Sequence, residues 1–195
     1  MESSIDLQPY FPKSNPKATF LEVVAEYELD IPVWLFDLHT QQEFDDTVTL
    51  ATQIFEDIFK DYSKPIIIMI NHSDMKRDTT VLDCFQAFNK GDFVSKVFID
   101  ENLNVEKEQI YIETPIGEIN YMDILEAIVQ RDYYQDYKLT TSRVFFIHPD
   151  KQMYFLYSDY EVMVGANDLD HLKPLFNKYK EYMELAEQEQ FLAQK

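Results

Sequence analysis

Apolar residues recur at steps of three and four in several parts of the chain, which is the pattern of amphipathic helices. The clearest such stretch runs from Val48 to Phe59, and Asp45 and Asp46 are expected to cap its start. Further helices are expected over residues 17–27, 79–90, 118–134 and 168–186. The last of these is expected to be one long helix that closes the fold.

Short runs of apolar and β-branched residues between the helices predict strands. The run from Pro65 to Ile70 is continuously apolar, which is typical of a strand buried on both faces. Further strands are expected over residues 33–38, 92–100 and 108–116, and a three-stranded β-meander is expected over residues 142–148, 152–158 and 161–166.

The order of these segments predicts an α+β fold with a mostly antiparallel or mixed sheet, a C-terminal three-stranded meander and packing helices. A single domain is expected over residues 18–195, because a chain of this length can bury most of its unfolded surface around one core. Residues 1–17 carry three prolines and no periodicity, so they are expected to form an N-terminal arm whose Tyr10 and Phe11 dock on the domain.

The net charge of the chain limits the classes of partner that we expect it to bind. The chain has 17 basic and 36 acidic residues, a formal net charge of -19. A negative field of this size repels nucleic-acid phosphates and anionic lipids, so neither nucleic acid nor a membrane is an expected partner. A basic protein would be attracted, although the charge also serves simply to keep a tyrosine-rich surface soluble.

Cysteine use and hydropathy indicate a cellular compartment. Cys84 is the only cysteine, so an internal disulfide is impossible and a reducing compartment fits. Its position beside an apolar stripe favours a small core residue over a nucleophile. The longest aliphatic run is too short to cross a bilayer, and we expect a cytoplasmic protein.

The C-terminal third resembles an uncharacterised bacterial domain family that is common in Gram-positive bacteria. The segment VFFIHPDKQMYFLYSDYEVMVGANDLDHLKPLFNKYKEYM follows that family's order of strand, Tyr-Asp-Asp-Arg-Gly turn, strand and closing helix. The upstream segments TLATQIFEDIFKDYSKPIIIMIN and INYMDILEAIVQRDYY are similar to its other parts. The resemblance implies a fold and brings no established activity with it.

The family's turn falls on residues 157–161, where only Tyr157 and Asp159 match it. Ser158, Tyr160 and Glu161 stand where the family has Asp, Arg and Gly. A Gly at the end of such a turn supplies a positive φ that Glu161 would adopt only with strain, so a different turn geometry is expected here.

No catalytic, cofactor-binding or metal-binding residue is assigned. Three glycines cannot build a P-loop or a dinucleotide fingerprint, and the histidines have no metal-ligand spacing. The string Asp168, Asp170, His171 could hold a hard cation, but helix capping is the favoured interpretation.

One location remains open for an enzyme. The segment from Asn71 to Asp74 follows the buried strand, where α/β proteins often place ligands. Its Ser, His and Asp are adjacent in sequence, however, whereas a triad needs separated residues that converge in space. The turn at Tyr157–Glu161 is the other location considered for an enzymatic site.

Tyrosines and acids occur together in two segments, and these are our candidate partner-binding residues: Asp132, Tyr133, Tyr134, Asp136, Tyr137, Tyr157, Asp159, Tyr160 and Glu161. Tyrosine is energetically potent at interfaces, and carboxylates beside it complement Lys or Arg on a partner. We therefore expect a non-enzymatic acidic protein-binding module, such as an immunity protein that neutralises a basic toxin. The alternatives are an enzyme with one of the small sites above and a structural or regulatory domain. The sequence gives no oligomeric state.

Overall fold

The computed structural model of the chain describes residues 7–14, 23–33, 40–72, 79–85, 90–100, 105–134, 143–158 and 160–194. The strands are β1 (Tyr27–Pro32), β2 (Ile66–His72), β3 (Val94–Asp100), β4 (Val105–Thr114), β5 (Arg143–His148), β6 (Met153–Ser158) and β7 (Glu161–Ala166). The helices are α1 (Gln41–Phe59), α2 (Thr79–Leu82), α3 (Tyr121–Tyr134), α4 (Leu169–Tyr179) and α5 (Leu185–Ala193), with 3₁₀ turns at Ile116–Glu118 and Lys180–Tyr182. None of the described helices is both long enough and apolar enough to span a membrane.

The strands form one sheet in the order β1-β7-β6-β5-β2-β4-β3, and every described pairing is antiparallel. The predicted α+β fold is confirmed, and the predicted meander is confirmed as β5, β6 and β7, which lie side by side. Strand β2 is buried along its whole length and is paired on both edges, as its continuous apolar run predicted. Strands β1 and β3 are the two edges of the sheet.

Alternating residues of the strands supply two cores, one on each face of the sheet. On one face, Ile66, Ile68 and Ile70 pack with apolar residues from α1, α3, α4 and α5. On the other face, Ile67 and Met69 pack with residues of the N-terminal segment. That segment contributes Leu7, Phe11, Val23 and Ala25, with Tyr10 packed beside them.

The first strand differs from its prediction. A helix was expected to end near residue 27, but residues 23–26 are not helical and β1 begins at Tyr27. The strand expected to begin at residue 33 has only Val33 among the described residues, directly after β1. The physical reason is the alternation of exposed Glu28 and Asp30 with buried Leu29 and Ile31, which suits a strand paired to β7.

Helix α1 begins earlier than Asp45 and Asp46 would place it. Thr40 is the N-cap: its Oγ1 accepts a hydrogen bond from the Glu43 amide at 3.2 Å, and the Glu43 carboxylate accepts one from the Thr40 amide at 2.7 Å. This capping box satisfies two backbone donors at once. The two aspartates predicted as caps lie inside the helix.

The long closing helix predicted over residues 168–186 is divided into α4 and α5. Helix α4 is followed by a 3₁₀ turn, and Met183 and Glu184 are extended, with ψ angles of 142° and 155°. Glu184 then starts α5 through a capping box with Glu187. The division allows α5 to fold back, so that Phe191 stacks on Phe176 with ring centroids 4.5 Å apart.

Candidate protein-binding surface

The two segments rich in tyrosine and acid lie side by side in the structure. The end of α3, with Asp132 and Tyr133, contacts the β6–β7 turn, with Tyr157 and Tyr160. The Tyr160 hydroxyl donates to the Asp132 backbone oxygen at 2.5 Å, and its amide donates to Asp132 Oδ2 at 3.4 Å. The rings of Tyr133 and Tyr160 pack edge to face, with centroids 6.0 Å apart. The fold therefore brings together Asp132 and Tyr160, which β5 and β6 separate in sequence.

Most of these side chains are used inside the protein. Tyr157 is 1% exposed and Tyr133 is 5% exposed. Asp132 Oδ1 is paired with Arg131 Nε at 2.8 Å, and the two side chains are only 7% and 10% exposed. In this conformation a partner can reach the rim of the group, at half-buried Tyr160 and Glu161, but not its buried tyrosines.

The buried tyrosines are held as neutral phenols. Burial raises the pKa of Tyr157, and the nearby Asp132 carboxylate raises it further. The Tyr157 hydroxyl has no hydrogen-bond partner among the described residues. Burial also raises the pKa of Tyr133, whose hydroxyl shares a 2.6 Å hydrogen bond with Thr47 Oγ1. Phenols with raised pKa values are poor general bases at neutral pH.

The turn between β6 and β7 has its left-handed residue at Tyr160, with φ of 68°. Glu161 belongs to β7 instead, where it pairs with Ser158 and Pro32, so the strain considered for it does not arise. Three hydrogen bonds hold Tyr160 in place: two to Asp132, and one from the Val33 amide to the Tyr160 carbonyl at 3.1 Å. These contacts offset the cost of a positive φ in a residue with a side chain.

The structure describes only part of the remaining candidate residues. Tyr134 is the last residue of α3, and its side chain is not described. Asp136, Tyr137 and Asp159 lie outside the described residues. Their assignment to a partner-binding surface stays a prediction.

A second acidic site lies at the outer edge of β1, where residues of β1, β7 and α5 line a cleft of about 160 Å³. Four carboxylate residues line it: Glu28, Asp30, Glu161 and Glu187. No Lys, Arg or His is among its described lining residues. Partial burial raises the pKa of Asp30, and the negative charges of Glu28 and Glu187 raise it further. The cleft therefore gathers four carboxylates at the edge of the sheet; we call it the β1 cleft.

One side chain already occupies part of the β1 edge. The Gln194 amide nitrogen donates to the Glu28 carbonyl at 2.9 Å, and the Gln194 amide oxygen accepts from the Glu28 N–H at 3.3 Å. The Glu28 backbone therefore points away from β7. Because backbone directions alternate along a strand, the N–H and C=O of Asp30 also point outward.

Sequence reasoning missed this cleft for two reasons. The segment YELDIP does alternate polar and apolar residues, but the helical spacing of the preceding residues was favoured over it. No local pattern could place Glu187 and Gln194 beside β1, because the reversal of direction between α4 and α5 brings them there.

The enzyme-like location at the end of β2 contains buried polar residues. Asn71 and His72 are buried, and His72 lies directly opposite Glu108 of β4, whose carboxylate accepts a hydrogen bond from the Ser95 hydroxyl. The carboxylate thus contacts the serine, whereas in a Ser-His-Asp triad the histidine does so. Ser73 and Asp74 lie outside the described residues. His72 lines neither the β1 cleft nor a larger one of about 610 Å³ beside Cys84.

Other candidate chemistry has structural explanations. Asp168 caps α4 by accepting from the Asp170 amide at 2.9 Å, and Asp170 pairs with Lys173 at 2.5 Å. Cys84 is half-buried and packs against the main core. Within the described part of the chain, no group of three or more His, Cys, Asp or Glu residues could hold a metal ion.

Comparison with known proteins identifies a family. A family model described as Domain of unknown function (DUF3885) matches residues 6–185. The search of curated proteins and the search of solved structures found no match. The match covers the whole sheet and α1 to α4, in agreement with the resemblance to an uncharacterised domain family. The chain belongs to the DUF3885 family.

Proposed function

We propose that this protein is a non-enzymatic acidic binding module that neutralises a basic protein, as an immunity protein neutralises a toxin. The β1 cleft is the observation that carries the proposal. Its four carboxylate residues converge from β1, β7 and α5. Carboxylates gathered on one surface favour the approach of Lys or Arg on a partner.

The helix layer extends the negative surface beyond the cleft. On α1, exposed Asp45 and Asp46 accept hydrogen bonds from the side-chain amides of Gln41 and Gln42, at 2.8 and 2.9 Å. These neutral donors leave the carboxylate charges uncompensated. Together with a net charge of -19, such a surface would accelerate association with a basic partner at low ionic strength.

A toxin that acts on nucleic acid is a suitable target, because its active cleft must be positive to hold phosphates. An acidic protein that docks there would exclude the substrate while forming complementary ion pairs. The half-buried pair Tyr160 and Glu161 lies next to β1 through the pairing of Glu161 with Pro32. This part of the predicted Tyr-acid surface therefore belongs to the same interface as the β1 cleft.

We further propose that the protein is cytoplasmic, of Gram-positive bacterial type, and that residues 157–161 are its version of the family's Tyr-Asp-Asp-Arg-Gly turn. The single cysteine supports a reducing compartment. Tyr160 occupies the position of the family's Arg, and it is the residue that bonds Asp132.

The test is an affinity pull-down from the source cell at low salt, followed by native mass spectrometry. We expect a basic protein whose toxicity is relieved when the two are expressed together. With that partner, Asp30→Lys should slow association by about tenfold. Glu126→Lys is the matched control, because it makes the same change in net charge at an exposed site on α3, away from the acidic residues of the proposed surface.

Recovery of the protein alone at low salt would remove the proposal. Equal association rates for the two variants would show that the β1 cleft is not where the partner arrives.

A further inference from the structure

The outward edge of β1 has the form of a strand-addition site. We propose that residues Glu28 to Pro32 bind an extended basic segment of the partner protein, which adds to the sheet as a further antiparallel or parallel strand beside β1. This inference rests on the proposed function, since it names how the acidic module holds its basic partner.

Backbone geometry carries the first step. Strand β1 is at the end of the sheet. The outward N–H of Glu28 donates to the Gln194 side-chain amide and its C=O accepts from it, as the backbone of a neighbouring strand would do. The equivalent groups of Asp30, two residues on, bond no described residue. An incoming strand would satisfy them, and it would replace the single side-chain amide by a ladder of backbone bonds.

Side-chain chemistry selects the occupant. Glu28 and Asp30 project to the same face of the sheet, and side chains directly opposite on an added strand would lie about 5 Å away. Opposite charges stabilise such pairs and like charges destabilise them. A second copy of this chain pairing through β1 would bring its own Glu28 and Asp30 against these carboxylates. A segment carrying Lys or Arg at alternate positions is therefore the favoured occupant.

Side chains on the other face of such a strand would enter the β1 cleft, whose volume is about 160 Å³. Its carboxylates are accompanied by Met183 and Phe191, which give it an apolar wall on the α5 side. An added strand with alternating basic and apolar side chains would present the basic ones to Glu28 and Asp30. It would present the apolar ones to that wall.

The test uses a defined probe, an acetylated and amidated peptide of about eight residues that alternates Lys with Val. Its binding to the full chain is measured by fluorescence anisotropy at about 20 mM NaCl. The matched control peptide is N-methylated at alternate residues, which removes the ladder-forming N–H groups and keeps every charge. We expect the N-methylated peptide to bind at least about tenfold more weakly.

Three protein variants test the same hydrogen bonds by changing the β1 edge instead of the peptide. Asp30→Ala removes the carboxylate and keeps the outward N–H, whereas Asp30→Pro removes both without breaking a bond to β7. Asp30→Pro should therefore bind at least about fivefold more weakly than Asp30→Ala. Gln194→Ala should bind a few-fold more tightly, because the Glu28 backbone is freed. If Asp30→Pro does not fold, the comparison of the two peptides still tests whether a strand adds to β1.

Equal binding of the two peptides would overturn strand addition while leaving the acidic binding module intact. No binding of either peptide, or a dimer of this chain formed through β1, would also overturn it. Failure to find any basic partner in the pull-down would instead remove the proposed function.

Discussion

At the scale of single residues, His148 is a buried histidine held neutral by its surroundings. It is 3% exposed, its ring lies 3.9 Å from that of Tyr62 between centroids, and its Nδ1 accepts a hydrogen bond from the Lys151 amide at 3.3 Å. Burial and, to a smaller extent, the charge of Lys151 lower its pKa from 6.5 to about 4. The folded state therefore binds a proton on this ring more weakly than the unfolded state does.

This predicts a loss of stability in acid. Because the folded pKa is below the unfolded one, the unfolded state binds more protons between pH 4 and 6.5. The contribution of neutral His148 to the free energy of unfolding is fully present above pH 6.5. It should fall by up to roughly 3 kcal/mol as the pH drops toward 4.

Urea denaturation of the wild type and His148→Phe across this range measures the effect. The phenylalanine keeps the aromatic packing and cannot titrate, so its pH profile should be flatter. Parallel profiles for the two proteins would contradict the assignment to His148.

Gly165 is required for a close approach between strands. The Tyr154 ring crosses it so that the Tyr154 hydroxyl can donate to the Glu28 carboxylate at 2.9 Å. A Cβ at position 165 would lie 2.6 Å from the ring carbon Cζ and 2.8 Å from the Ala25 Cβ. Such distances are far shorter than van der Waals contact.

Gly165→Ala should therefore lower the free energy of unfolding by roughly 1–3 kcal/mol, as overpacking of a core does. Gly117→Ala is the matched control, since a Cβ there meets nothing within 4 Å. We expect that control to stay within about 0.5 kcal/mol of the wild type in urea denaturation. Equal stability of the two variants would mean that Tyr154 does not occupy the space over Gly165.

At the scale of elements, the start of α1 shows why residue type alone does not identify the N-cap of a helix. Asp45 and Asp46 are good capping residues by type, but a cap must be followed immediately by helical residues with free N–H groups. Gln41 to Phe44 already form the first turn, and Thr40 with Glu43 satisfies its donors. The helical periodicity was predictable from sequence, and its first residue was not.

Thr40→Ala should lower the free energy of unfolding by about 1 kcal/mol, because the capping hydroxyl is lost. Asp45→Ala is the matched comparison and should change it by less than about 0.5 kcal/mol. Urea denaturation at neutral pH measures both. A larger loss of stability for Asp45→Ala than for Thr40→Ala would indicate that Asp45 caps the helix, as the sequence predicted.

At the scale of the whole molecule, excess negative charge opposes the compact state. The chain has 36 acidic and 17 basic residues, and Asp30 has a pKa raised partly by neighbouring carboxylates. Screening of this repulsion by salt should stabilise the fold. Neutralising Asp30 should relieve part of the same repulsion.

We therefore expect the Tm to rise by a few degrees between about 20 and about 500 mM NaCl. Asp30→Asn should have a higher Tm than the wild type at low salt and a smaller gain from added salt. Calorimetry measures both. A wild-type Tm that is flat or falls with salt would show that the repulsion is compensated elsewhere.

The sequence by itself determined the fold class and most elements, because periodicity reports burial directly. The apolar run of β2, the three strands of the meander and the helical stripe of α1 all depend on local spacing, and all are present. The sequence also determined the net charge, on which the proposal of a basic partner depends.

Only the tertiary structure decided how those charges are used. It buried Tyr157 and paired Asp132 with Arg131, so that part of the predicted surface became internal packing. It also brought Glu187 and Gln194 to the edge of β1, far away in sequence, because α5 folds back after α4. Local patterns cannot encode such contacts, since they depend on the direction of the chain between elements.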